Sequence, residues 1–215
     1  LLVTPTNSDK SLKIFMRMEK KMKYYKVLDM NQNSCNGGDA QWKKGVWMPK
    51  IQGKLIPCFN GYHLCRKKDL THWLDEEIWI AEGRGRKIVD DNKVVFSEAR
   101  IIEKFDTWNE KTARLFACDC AEHVLKYFEE EYPDDDRVRN CINVARMYAN
   151  GEVTIRELKL AESAAGSAGS AVWSAVWSAA GPAARSAARS AESAARSAEI
   201  KWQTKRLFEY LEGRI

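Results

Sequence analysis

The chain has 215 residues, 30% of them charged, with a formal net charge of +5. That length supports one or two domains with a real hydrophobic core. No apolar run approaches the ~18 residues of a membrane span, and Leu1 to Ser8 carry no signal-peptide pattern. The expected location is therefore cytoplasmic, with no membrane partner.

The positive charge is concentrated at the start. Lys10, Lys13, Arg17, Lys20, Lys21 and Lys23 face only Asp9 and Glu19. Residues 1–21 read as a basic, disordered tail, and Met16, Met18 or Met22 is a candidate native start. Such a tail can add phosphate affinity, which makes nucleic acid a candidate partner.

Residues 22–105 read as a β-rich head. Tyr24 to Met30 is rich in strand formers, and Asn31, Asn33, Asn36, Gly37 and Gly38 mark a loop. Val46–Met48, Lys54–Phe59 and Gly61–Cys65 are short strand candidates. Asp69 is placed to cap a short helix over Leu70 to Leu74. Glu77–Glu82 and Lys93–Lys104 form a strand pair turning at Asp90-Asp91-Asn92. Gly83-Arg84-Gly85-Arg86-Lys87 between them reads as a solvated bend rather than a phosphate cradle.

At Thr107 the apolar period changes from 2 to 3.6, and residues 106–160 read as a helical domain. Thr107-Trp108-Asn109-Glu110 has the form of a capping box. The helix after it ends before Pro133, because the residue preceding proline disfavours the α region. Asp134, Asp135 and Asp136 start the next helix, which Asn150-Gly151 stops. Thr154-Ile155-Arg156-Glu157 is a second capping box.

Residues 161–199 repeat a Ser-Ala-x-x unit, with serines from Ser163 to Ser197 about 3.8 residues apart, close to one helical turn. The expectation is a long Ala/Ser helix or hairpin whose small side chains permit close approach of another helix. Self-association is one use, with Trp173 and Trp177, one turn apart, as anchors. A simple spacer is the alternative. Gly181-Pro182 marks a kink or a hairpin corner. Residues 200–215 close the chain as an amphipathic helix. The fold class is α+β: a small antiparallel β-rich domain, then a helical region.

The cysteines, Cys35, Cys58, Cys65, Cys118, Cys120 and Cys141, form no CxxC. Neither Cys58/His63/Cys65/His72 nor Cys118/Cys120/His123 has zinc-site spacing, so buried thiols are expected and no metal or cofactor.

Two stretches carry a resemblance. Phe116-Ala117-x-Asp119-x-Ala121-Glu122-x-Val124-Leu125, Phe128-Glu129, Tyr132-Pro133-Asp134-Asp135-Asp136-Arg137-x-Arg139 and Ala145-Arg146 resemble a motif of bacterial and phage immunity proteins of polymorphic-toxin systems. Val138 stands where that family has proline. The segment Gly61–Cys65, with Glu77–Glu82 and Arg100-Ile101-Ile102, is similar to a small domain of phage proteins. The resemblance implies an interaction protein that inhibits a bacterial protein by binding it, and it names no catalytic residue.

Asp134, Asp135, Asp136, Arg137 and Arg139 are the candidate contact residues. Such a block is more often a helix start with internal ion pairs. Two other functions stay open. A small enzyme could use His63 or His72 beside Glu82 or Glu98. A nucleic-acid accessory protein could use the tail, Arg84, Arg86 and Lys87, with bases stacked on Trp42 or Trp47.

Overall fold

The computed structural model describes residues 24–35, 38, 40–165 and 182–215. The basic tail and the centre of the Ser/Ala repeat lie outside these. The chain divides into two compact units, one ending at Asp106 and the other beginning at Thr107.

The first unit is a four-stranded antiparallel sheet in the order β1-β3-β4-β2, with β1 Tyr24–Leu28, β2 Tyr62–Leu64, β3 Glu77–Val89 and β4 Val94–Lys104. Tyr25 and Cys65 exchange backbone hydrogen bonds of 2.8 Å in both directions. The two outer strands are thereby joined, and the sheet curls back on itself. Closure of this kind hides strand edges that would otherwise invite pairing with another chain. The remaining edge of β4 is covered by residues 45–51. Gly45, Met48 and Ile51 donate to the carbonyls of Ile101, Ala99 and Ser97 at 2.8 Å each. This segment and Lys54–Phe59 were expected as strands. The first is coil instead, and Lys54–Phe59 runs into a turn at residues 57–59, with only an isolated bridge between Ile56 and Asn60.

Alternation along the strands sends Leu28, Leu64, Trp79, Ala81, Val94, Phe96, Ala99 and Ile101 into one core with Trp42. Trp42 is 1% exposed, and its indole N–H donates to Ser34 Oγ at 3.0 Å. A 3-10 turn, Lys67–His72, replaces the short helix expected after Asp69. Asp69 sits inside it and is bound by the Arg66 guanidinium, which also donates to the carbonyls of Asp90 and Asp91. The turn therefore clamps the β3–β4 hairpin.

The expected bend at Gly83–Lys87 is strand. β3 runs through it with a register shift between Arg84 and Lys87. The glycines are there for space. A Cβ on Gly83 would lie 2.4 Å from the Phe96 ring, and Gly85 has φ of +78° against the Ser97 hydroxyl. Bulges of this kind add twist and allow a small sheet to curl.

The second unit is helical: α1 Glu110–Glu131, α2 Arg137–Asn150, α3 over residues 155–165, and α4 Pro182–Leu211. α1 and α2 form an antiparallel hairpin around Cys118, Leu125 and Ile142. The cap of α1 differs from the expected one. Asn109 is the N-cap and exchanges side-chain bonds with Thr112, while the Thr107 hydroxyl donates to the Leu211 carbonyl at 2.7 Å. Thr107 thus ties the start of the unit to its end. Gly151 stops α2 with φ of +79°, and Thr154 with Glu157 caps α3, both as the sequence implies. α4 joins the last part of the repeat to the C-terminal segment in one helix, burying Leu207, Phe208, Tyr210 and Leu211. No helix among the described residues is long and apolar enough to cross a membrane.

Replacing Gly83 with Ala should overpack the Phe96 ring and cost about 1–3 kcal/mol. Urea denaturation of the full chain would show it as a lower midpoint, and an unchanged midpoint would contradict this packing.

Candidate functional site

The charged residues of the motif converge on the α1–α2 hairpin and its turn. On α1, Glu122 and Glu129 are seven residues apart; on α2, so are Arg139 and Arg146. Seven residues are about two helical turns, roughly 10 Å. In an antiparallel pair the two spacings match as rungs. Arg139 forms a two-bond pair with Glu129, its Nη2 at 2.7 Å, and Arg146 binds Glu122. In the turn, Arg137 grips Asp135 through Nε at 2.8 Å and Nη2 at 2.6 Å. Hydrogen bonds from these arginines hold Glu129 and Asp135 below the usual carboxylate range.

The deepest of these contacts centres on Asp119, which is 7% exposed. Its Oδ1 lies 2.7 Å from Arg146 Nη1. Its Oδ2 accepts from Arg206 Nε at 2.7 Å and from the Tyr210 hydroxyl at 2.8 Å. One carboxylate on α1 therefore holds α2 and α4. Burial alone would raise its pKa, but the donations from Tyr210, Arg206 and Arg146 outweigh that and hold it low. Burial, with the bond to Asp119, raises the Tyr210 phenol. A second clasp lies nearby. His123 Nδ1 is 2.7 Å from Glu199 Oε2, and its ring stacks on Trp202 with centroids 3.7 Å apart.

Of the five candidate contact residues, three are therefore committed within the fold: Asp135 with Arg137, and Arg139 with Glu129. Asp134 and Asp136 are exposed and make no side-chain hydrogen bond or ion pair among the described residues. They line a shallow depression formed by residues 131–137. Asp136 occupies the N-cap of α2 yet makes no capping bond, contrary to the role expected of it. Trp173 and Trp177 lie outside the described residues.

The competing candidates in the β unit are dispersed. Glu82 binds Arg100 at 2.6 Å and Glu98 binds Arg84 at 2.7 Å, so neither carboxylate is presented to His63. His63 Nε2 accepts the Cys58 amide at 2.9 Å, which leaves its lone pair occupied. Trp42 is core, and the Trp47 ring carries the Arg84 and Arg100 guanidiniums at 4.0 and 4.6 Å. Arg86 donates to the carbonyls of Gly53 and Ile51. Trp42, Trp47, Arg84 and Arg86 are thus engaged within the head, while Lys87 is exposed. All six cysteines are free thiols, and no three His, Cys, Asp or Glu side chains converge on a metal position among the described residues.

The α1–α2 hairpin is thus laced by arginine–carboxylate rungs and carries an acidic turn. Residues 103–194 match the family described as Imm-5 like putative immunity protein. The match begins in the last residues of β4 and runs through the helical unit into α4, so the resemblance to immunity proteins holds over that segment. No curated protein and no solved structure matches the chain.

Asp119→Asn should destabilise the helical unit by about 2–4 kcal/mol, less than for a fully enclosed pair because both arginines are partly exposed. Asp119 has a lowered folded-state pKa. Its contribution is complete above the unfolded value of about 4 and is lost as pH falls through the lower folded value. Thermal unfolding from pH 7 to pH 2.5 should therefore show the gap between wild type and Asp119→Asn closing in acid. A constant gap would contradict the ionised node.

Proposed function

We propose that the chain is an immunity-type inhibitor that binds a bacterial protein through the turn between α1 and α2. The observation that carries this is the division of charge within the motif. Asp119, Glu122, Glu129 and Asp135 are each paired with arginine, whereas Asp134 and Asp136 are exposed and line one depression. Exposed carboxylates suit a partner presenting Lys or Arg, since complementary charge speeds encounter and fixes register. The Asp135–Arg137 pair stiffens the turn, which lowers the ordering cost of binding. The match to immunity proteins supplies the class of partner, a protein whose activity is to be blocked.

The test is affinity purification of the tagged chain from bacterial lysate at low and at high salt. It is paired with the variant carrying Asp134→Lys and Asp136→Lys. A stoichiometric protein retained at high salt by the wild type, weakened at least about ten-fold in the variant, supports the reading. That protein should impair growth when expressed alone, and co-expression of this chain should restore growth. Equal capture by the variant would remove the turn from the interface. Nucleic acid as the sole eluate, lost at high salt, would replace the inhibitor reading with an electrostatic nucleic-acid one.

A further inference from the structure

The β unit contains a cleft of about 370 Å³ that the interaction surface does not use. We propose that it binds a small organic anion with an apolar or aromatic body, of the class of aromatic carboxylates and sulfonates.

The lining decides the charge of the ligand. Lys26 and Lys93 both border the cleft, and their amines favour an anion. Lys26 occupies an inward position of β1, in alternation with Tyr24 and Leu28, and its Nζ lies 5.1 Å from the centroid of the buried Trp42 ring. It makes no hydrogen bond or ion pair among the described residues. The acidic hydrogens near it belong to thiols, and those stay on: burial pushes Cys65 up to about 12 and Cys35 up to about 11. Burial pushes the Lys26 amine down, as an uncompensated cation requires. A buried ammonium without a counterion is costly, and an anion entering the cleft would remove that cost.

Lys93 sits opposite in chemistry. Its ammonium lies 3.4 Å from Asp90 and 5.2 Å from the Trp73 centroid. It remains charged. His63 contributes a donor. Because Nε2 accepts from Cys58, the ring proton is on Nδ1, and burial together with Lys26 and Lys93 keeps the ring neutral. The apolar part of the ligand is met by half-buried Trp73 and by Phe59, which is 87% exposed. Cys58, which precedes Phe59, holds φ of +68°, a strained conformation fixed by the bond to His63. The volume lies at the lower end of small-molecule pockets.

The probe pair is 8-anilinonaphthalene-1-sulfonate and its uncharged analogue N-phenyl-1-naphthylamine, titrated into the full chain by fluorescence and calorimetry. The sulfonate should bind once per chain, with the neutral analogue about ten-fold or more weaker. Lys26→Met keeps an unbranched side chain, one atom shorter, and removes the burial cost of the charge, so it should fold as the wild type does by circular dichroism. It should lose about ten-fold or more in sulfonate affinity. Lys93→Met is the second variant and should fall in the same direction. Equal affinity for the neutral analogue, unchanged affinity in both lysine variants, or no sulfonate binding would each overturn the proposal. None of these readouts involves the α1–α2 turn, so failure here leaves the inhibitor reading standing.

Discussion

The helical unit depends on a single buried carboxylate. Asp119 is the point at which α1, α2 and α4 are held by directed bonds rather than by apolar contact alone. The apolar seam joins Cys118, Leu125 and Ile142 in the hairpin with Trp108, Phe116, Leu158, Ala161, Leu207, Phe208 and Leu211, also buried in this unit. Such a seam tolerates sliding and rotation of one helix on another. A carboxylate with three donors does not, because each oxygen must keep its partners to offset burial. The rungs at Glu122 and Glu129 then fix the register of α1 against α2. The turn between those helices is consequently held in one shape, and its two free carboxylates point from a rigid base.

The β unit solves a different problem. A four-stranded sheet cannot enclose a core while flat, so the bulges in β3 and the Tyr25–Cys65 bonds curl the sheet around Trp42. Curling leaves a concave mouth at the β1–β2 junction. Lys26 is there because β1 alternates, and an inward lysine in a strand is a local conflict between pattern and burial. Conflicts of that kind are expected at sites with a use.

Much of the architecture was legible in the sequence. The change of period at Thr107 marks the start of the second unit, and Pro133, Gly151 and the Thr154–Glu157 box place helix ends that the structure shares. What escaped was tertiary. Gly83 to Lys87 looks like a bend because glycine disfavours strands, but the glycines make room for Phe96 and Ser97 from β4. Thr107 looks like a cap, yet its hydroxyl is claimed by Leu211, 104 residues away. The candidate site was half legible. The acid–arginine block was visible, whereas the division into paired and unpaired members needs the antiparallel geometry. Equal spacings of seven, Glu122 to Glu129 and Arg139 to Arg146, were the available signal. For Lys26 the signal was its place in the alternation with Tyr24 and Leu28.

Hydrogen exchange of the full chain, wild type against Asp119→Asn, tests the central role of the carboxylate most directly. Amides of α4 from Thr204 to Leu211 and of α2 around Arg146 should lose protection together, while β3 and β4 keep theirs. Unchanged protection in α4, or loss spread evenly over both units, would contradict the assignment of Asp119 as the node that holds the helices.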